Sequence, residues 1–539
     1  MGNLPFFVGI GGQAGEGVES LGQAMGTLLA RMGFEVLTNG EFHNAIKGSH
    51  NAFQISAGSG ASLSFPGKYQ VVVAMDKESY DQEAAKLMPG GKLIFDPAFG
   101  TPNINVKLVP IPFLEMAERV AGTKLAKNMV LFGSLGALVK ASRDQVETIV
   151  KELFNGKPEK IIFGNVQAAM LGYEAGLPHA LDLKPSSNQK EEFLLTGNVL
   201  AALAAVKAGC NFFAAYPMTP STSILQYLAK WAKQADMNVQ HVEDELSAIN
   251  MAIGASYAGA RAMTATSGGG YALMTEGVGL AAMLETPVVL IDVQRPGPAT
   301  GLPTRTGQSD LRQVLHAGQG DVPHMVMSPG SHEEIFQMVR NAFGYAEVLG
   351  GPVTVLMEKC LAESLATLDA EVFEDVGISL NRQVTNGLKQ VFSYEHNDQG
   401  LPTEDPEEIA GKQSQRWKKV DALSALIPRA ALEGPESSEI TVVCWGSTYL
   451  AVKEACRRLG EEGIVANFLH VKYFRPFQPG VAEALEKSKR IVLVEGNQTA
   501  QLGGLIREQT GIDIYHKILD VTGRPFTAEE LAEKIKALV

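Results

Sequence analysis

At 539 residues the chain is too long for one compact core, and its length implies about three or four domains. An apolar content of 45% with 19% charged residues describes an ordinary globular protein, and a net charge of −13 argues against a nucleic-acid partner and fits a cytoplasmic location. No run approaches the ~20 uninterrupted apolar residues of a membrane span, residues 1–7 lack the basic start of a signal peptide, and Cys210, Cys360, Cys444 and Cys456 form no Cys-x-x-Cys pair that would ligate zinc or an iron–sulfur cluster.

Apolar runs alternating with helix-period segments predict an α/β domain with a mostly parallel sheet over residues 1–182, with strands at 5–10, 71–76 and 93–96 and a helix at 15–31. Between the first strand and that helix lies Gly11-Gly12-Gln13-Ala14-Gly15-Glu16-Gly17. Such a turn lets backbone amides approach an anion at a helix N-terminus. Its spacing is too crowded for a dinucleotide fingerprint, and no Gly-Lys-Ser/Thr follows to make it a phosphate loop; a turn without a ligand fits equally well. Lys47-Gly48-Ser49-His50, before a strand at 51–55, is either a phosphate-side cluster or a solvated turn.

A polar linker at 182–192 leads into a second α/β domain, 193–366, with strands at 211–215, 262–266 and 287–293. After the first of these comes Tyr216-Pro217-Met218-Thr219-Pro220-Ser221-Thr222. The two prolines restrict Met218 and Thr219 at a strand end, where open α/β sheets bind ligands, and Ser221 is placed to cap the next helix. Then come His241-Val242-Glu243-Asp244-Glu245, a helix start whose carboxylates complement the macrodipole. Glu245 stands apart, because Ala248, Ile249, Ala252 and Ala255 make its helical face small and apolar, where a carboxyl is costly unless exposed, paired or functional. Thr264-Ala265-Thr266-Ser267-Gly268-Gly269-Gly270 ends a strand in a glycine-rich turn. Gly297 to Thr306 is a Pro/Gly-fixed loop whose single cation is Arg305, suited either to fork a carboxylate or to lie on the surface.

Residues 367–438 are acidic and turn-rich, as at Tyr394 to Gly400 and Thr403 to Glu408, and predict a surface linker or insertion. Alternation resumes at 439–539, with strands at 440–444, 464–469 and 491–494 and a helix at 449–459, predicting a third, smaller α/β domain.

Taken in order, Tyr216 to Thr222, Glu243-Asp244-Glu245 with Ala248, Ala252, Gly254 and Ala255, Thr264 to Gly269, and Gly297 to Arg305 resemble the 2-oxoacid:ferredoxin oxidoreductases, specifically an α subunit with a γ domain fused at its N-terminus. Met218, Thr222, Ala14 and Glu16 depart from the usual motifs. The resemblance covers nearly the whole chain and implies a γ-type domain, a thiamine-diphosphate pyrimidine-binding domain and a transketolase C-terminal-like domain. It implies thiamine diphosphate as cofactor, with Glu245 as the catalytic carboxyl. Bonded to N1′ of the aminopyrimidine, that carboxyl favours the 4′-imino form that removes the thiazolium C2 proton. Ser267 and Gly268 are implied as cofactor contacts, Thr219 and Arg305 as substrate contacts, and Gly12, Gly15, Lys47 and Ser49 as contacts to coenzyme A.

The chain lacks a Gly-Asp-Gly segment followed at the right distance by Asn, so Mg²⁺, the diphosphate grip and a [4Fe-4S] cluster are expected on a separate β subunit. No metal site is assigned to this chain. The implied reaction is oxidative decarboxylation of a 2-oxoacid with coenzyme A to acyl-CoA and CO₂, electrons passing to ferredoxin, or the reverse carboxylation, in an (αβ)₂ assembly without a membrane or nucleic-acid partner. 2-Oxoglutarate is the favoured substrate from Arg305, with pyruvate or a branched 2-oxoacid as alternatives. A nicotinamide-dependent dehydrogenase built on the 11–17 turn and a non-catalytic acyl-CoA-binding subunit are the readings from other classes.

Overall fold

The apolar run near the N-terminus forms the strand Phe6–Gln13, buried along all but its last residue. This is what a strand covered on both faces requires. In the computed structural model, which describes residues 5–42, 49–58, 63–101, 104–183, 192–374, 392–435 and 438–538, that strand belongs to the first of two units. This unit comprises Met1–Leu195, Ser364–Ala370 and Thr527–Glu530. Among the described residues its sheet runs in the order Lys107–Pro110, Leu87–Phe95, Tyr69–Ala74, Phe6–Gln13, His50–Gly58, Glu35–Glu41, Leu365–Asp369, Glu192–Thr196. The first four are mutually parallel, whereas His50–Gly58 pairs antiparallel with both Phe6–Gln13 and Glu35–Glu41. Glu41 and His50 are too close in sequence for the crossover helix a parallel pair needs, so this pair is antiparallel within the mostly parallel sheet that the sequence predicts.

The helix Val18–Arg31 buries Leu21, Met25, Leu28 and Leu29, the 3–4 spacing of an amphipathic face. It starts after Gly17, whose φ of 80° is the left-handed conformation glycine tolerates. The helices Lys127–Leu138 and Glu159–Gly176 also pack within this unit.

The second unit comprises Thr196–Glu363, Glu371–Phe526 and Leu531–Val539. Its larger sheet is ordered Tyr473–Arg475, Met325–Met327, Pro352–Glu358, Val288–Gln294, Ala262–Thr266, Phe212–Ala215, Asn238–His241, parallel except at the Tyr473–Arg475 edge. The smaller sheet is ordered Leu432–Glu433, Ala466–His470, Ile440–Cys444, Ile491–Glu495, His516–Leu519, parallel except for the first pair. One core joins the two sheets: Leu290 and Val326 share a cluster with Trp445, Leu469 and Leu493, and Leu311 and Val314 lie in it too. The α/β class with mostly parallel sheets is therefore as the sequence predicts.

Leu365–Asp369, straddling the expected boundary at 366, returns to the first sheet and pairs Ala366 with Leu37. The segment expected to be a turn-rich surface linker or insertion contains a 19-residue helix, Pro406–Ser424, capped by Asp405. Its Arg416, which is buried, donates to both carboxylate oxygens of Glu395 at 2.9 and 2.7 Å, tying the acidic loop to the helix. This long-range pairing is invisible to periodicity. All four cysteines are buried and free, and among the described residues no helix is long and apolar enough to cross a membrane.

Candidate active site

Asp244 caps the helix Glu245–Tyr257, its carboxylate accepting from the Ser247 amide at 2.7 Å, and that bond holds it below its ordinary pKa. With Asp244 at the cap, Glu245 falls on the inward face while Glu243 stays exposed. Glu245 is 3% exposed among the fully buried Ala248, Ile249 and Ala252, and its Oε1 has no hydrogen-bond partner. A β-carbon on Gly270 would sit 2.5 Å from that oxygen and overlap Thr266 Oγ1. The glycine-rich turn after Ala262–Thr266 therefore admits the Glu245 carboxyl where a side chain would exclude it.

The Pro-braced loop meets the same strand end. Thr266 Oγ1 lies 3.9 Å from Met218 Sδ. Ser221 does not cap the helix Thr222–Trp231 with its side chain, as the sequence suggested. Its helical backbone turns the hydroxyl back, and it donates to Met218 O at 2.8 Å, tightening the loop. Thr219 is exposed, and its carbonyl accepts from Arg295 Nη1 at 2.6 Å.

Ser267 precedes the helix Gly268–Met283 and is fully buried, yet its hydroxyl makes no capping bond and has no partner. A β-carbon on Gly268 would overlap Asp310 Oδ2, so that carboxyl is pressed against the helix's first turn. Burial pushes Asp310 up to about 7, opposed by the charge of Arg295. Burial, reinforced by Asp310, drives Asp292 well above the ordinary carboxylate range. Both oxygens of Asp292, Asp310 Oδ2, Thr264 Oγ1 and Gln294 Nε2 are also buried and unpartnered. Unpaired groups at this density are rare in a core and suit a pocket that takes up a polar ligand or ordered water.

Arg305 lies at the end of the 297–306 loop. Its amide bonds Leu302 O at 3.1 Å, and its Cβ would be 2.8 Å from a β-carbon on Gly523. The loop's Ala299 O is the nearest non-local atom to a β-carbon on Gly269, 3.9 Å away. Thus Glu245, Thr219, Ser267 and Gly268 gather at neighbouring strand ends, with the Arg305 loop running past the same turn.

In the first unit, Ala14 N donates to Ser49 O at 2.8 Å, joining the glycine-rich turn to Ser49. Gly15 has φ 91° with open space at its β position, whereas Gly12 packs against Val18 and Met75. Glu16, one of the departures from the usual motif, is paired with Lys127 at 2.9 Å. Lys47 lies outside the described residues.

Arg295, Asp292, Asp310 and Gln308 fall outside the motifs that the sequence marks. A lone carboxyl inside the apolar run Val288–Gln294 is the signal that marks Asp292; the others become visible only through partners far along the chain.

The chain as a whole has counterparts among known proteins. Residues 203–415 match the family model of pyruvate flavodoxin/ferredoxin oxidoreductase, thiamine-diphosphate-binding; residues 8–175 match pyruvate ferredoxin/flavodoxin oxidoreductase; residues 438–531 match pyruvate:ferredoxin oxidoreductase core domain II. The chain belongs to the 2-oxoacid:ferredoxin oxidoreductase family and is similar to its α subunits along nearly all of its length. The 2-oxoacid:ferredoxin oxidoreductase 2 subunit alpha of Aeropyrum pernix is 30% identical, covering 98% of this chain and 97% of that one. The 2-oxoglutarate oxidoreductase subunit KorA of Mycobacterium tuberculosis is 27% identical over 98% and 90%. Among solved structures, 2-oxoglutarate:ferredoxin oxidoreductase from Magnetococcus marinus, with 2-oxoglutarate, coenzyme A and succinyl-CoA bound, superposes with a TM-score of 0.92 at 30% identity, covering 99% of both chains.

Proposed function

We propose that this chain is the α subunit, with a γ-type domain fused in front, of a thiamine-diphosphate-dependent oxidoreductase that converts a 2-oxoacid and coenzyme A to acyl-CoA and CO₂ and delivers two electrons to ferredoxin, or runs the reverse carboxylation. 2-Oxoglutarate is the favoured substrate; the KorA relatives and the ligands in the Magnetococcus marinus enzyme support it. Pyruvate, for which the family models are named, is the comparison to run beside it. The division at 182/193, 366 and 438 into γ-type, pyrimidine-binding, linking and transketolase-like parts belongs to this reading. So do a cytoplasmic location, a β subunit carrying Mg²⁺ and a [4Fe-4S] cluster, and an (αβ)₂ assembly.

The observation that carries the reading is Glu245, a buried carboxyl whose Oε1 is unpartnered beside a glycine turn. It fits the aminopyrimidine N1′ of thiamine diphosphate, and its low-polarity surroundings strengthen such a hydrogen bond. When bound, the cofactor supplies a nucleophilic carbon for the 2-oxo group and accepts the electron pair left as CO₂ departs. Glu245 holds the proton shared with the pyrimidine, and Ser267 and Gly268 line the same edge. Thr219, on a loop fixed by Ser221 and Arg295, offers its hydroxyl to the substrate, and Arg305 takes the carboxylate. Gly12, Gly15, Lys47 and Ser49 are the contacts assigned to coenzyme A.

The test is to co-purify the chain with its native partner and follow viologen reduction with a panel of 2-oxoacids. Glu245→Gln should lower turnover by a factor on the order of 10² or more, because it removes the proton-sharing group. Near-normal turnover sinks the assignment and favours the non-catalytic reading.

A further inference from the structure

In the smaller sheet of the second unit the chain leaves Ile440–Cys444 to one side, for Ala466–His470, and later returns on the other side as Ile491–Glu495. The carboxyl ends of Ile440–Cys444 and Ile491–Glu495 therefore flank a topological switch point, the crevice where open α/β sheets take their ligands. Here that crevice holds a side chain of the same polypeptide. Gln308, 2% exposed, donates through Nε2 to Trp445 O on one side at 2.8 Å and to Glu358 Oε1 at 2.8 Å. Its Oε1 accepts from Gly496 N on the other side at 2.7 Å. Its backbone N–H bonds Gly496 O at 3.0 Å, and its carbonyl accepts from Asn497 Nδ2 at 3.1 Å. Every polar group of Gln308 is used, as in a bound ligand.

Flanking residues are anchored to the same domain. Thr306 N bonds Gly523 O at 3.1 Å, and Ser309 O accepts from Gln501 Nε2 at 2.8 Å. Upstream lies Arg305; downstream lies Asp310, pressed against Gly268. Gly446, at φ 54°, leaves the room in which Glu358 reaches Gln308, since a β-carbon there would overlap Glu358 Oε1.

We infer that Gln308 is a positioning residue for the reaction: docked in the switch-point crevice, it fixes the 305–310 segment and so holds Asp310 against the Gly268 turn and Arg305, beside Gly523, at the end of its loop. The smaller domain uses its ligand crevice to hold a substrate-binding loop in place. The inference rests on the reading of Arg305 as the carboxylate clamp.

The experiment uses the full chain co-purified with its native partner and compares Gln308→Ala, Gln308→Glu and Arg305→Ala. Gln308→Ala should raise KM for the 2-oxoacid about tenfold or more, since a displacement near 1 Å at a binding group has effects of this size, and leave KM for coenzyme A unchanged. Hydrogen exchange across residues 300–312 should quicken in the same variant. In Gln308→Glu the acid is a donor only when protonated, so its KM defect should shrink as pH falls; this variant carries the test if the alanine form does not fold. An unchanged 2-oxoacid KM in folded Gln308→Ala, an equal rise for both substrates, or a pH-independent defect in Gln308→Glu overturns the inference. If Arg305→Ala leaves KM unchanged, the clamp reading fails and the inference that rests on it falls too. A raised KM in Arg305→Ala beside a normal one in Gln308→Ala defeats positioning alone.

Discussion

Arg295 Nη1 donates to the backbone carbonyl of Thr219 at 2.6 Å, so the cation at the end of one strand braces the loop at the end of another. The bond is charge-assisted and bears on the loop whose threonine is assigned to the substrate. Hydrogen bonds to charged groups contribute about 1.5–3 kcal/mol, which corresponds to roughly 10- to 100-fold in rate. Arg295→Ala should lower kcat/KM for the 2-oxoacid by up to that factor in the reconstituted complex, and because the same bond holds the folded loop, lower the melting temperature by a few degrees. Steady-state viologen reduction and a thermal melt check both halves, and a wild-type kcat/KM would remove the brace from the account.

What the sequence disclosed follows from how local each feature is. Periodicity found the strands Ala262–Thr266 and Ile440–Cys444 to the residue, and helical-face spacing separated the buried Glu245 from the exposed Glu243 although the two are nearly adjacent. Ser221 misled because a serine before a helix caps in most contexts, whereas here its hydroxyl turns back to Met218. The antiparallel pairing of His50–Gly58 followed from a connection too short for a crossover, a signal present in the sequence once the strands are bounded. Gln308 carried no signal, because its partner Gly496 is 188 residues away and a lone glutamine has no periodic or compositional mark. Asp310 was likewise hidden, since its meaning comes from contact with Gly268 in another element.

Glu358 gives the protein a pH dependence with a defined sign. Burial pushes its pKa from 4.5 up to about 8, although Gln308 and the Ser447 amide donate to it. The folded state therefore keeps a proton that the unfolded chain releases above about 4.5, and ΔG of unfolding declines as pH rises from there to about 8. The contribution is complete below that window and lost above it. Asp310, raised to about 7, acts in the same direction over an overlapping range. Glu358→Gln is neutral at every pH, so the fall in melting temperature between pH 6 and pH 8.5, a few degrees for a protein of this size, should be smaller in the variant than in wild type. Equal slopes in buffers of matched ionic strength would show that Glu358 is ionised in the folded chain.

In the first unit the helices Lys127–Leu138 and Glu159–Gly176 approach so closely that a β-carbon on Gly172 would overlap Val130 O, and one on Gly133 would overlap Ala169 O. The atoms in the way are backbone, which cannot rotate aside, and Ser134 Oγ seals the contact by donating to Val130 O at 2.9 Å and Gly172 O at 3.0 Å. Gly172→Ala must therefore push the two helices apart. Alanine's better helix propensity offsets at most about 1 kcal/mol of this, while overpacking of a close contact costs about 1–3 kcal/mol and more where no side chain can yield. The net effect should be destabilising: a lower melting temperature by calorimetry and faster hydrogen exchange across residues 127–176, with exchange across 262–294 in the second unit unchanged. Gly164→Ala is the control on the same helix, because its β-carbon would meet Ala121 at an ordinary 3.5 Å and should leave the melting temperature equal or higher. If both variants melt alike, the separation of these helices is set by something other than the paired glycines.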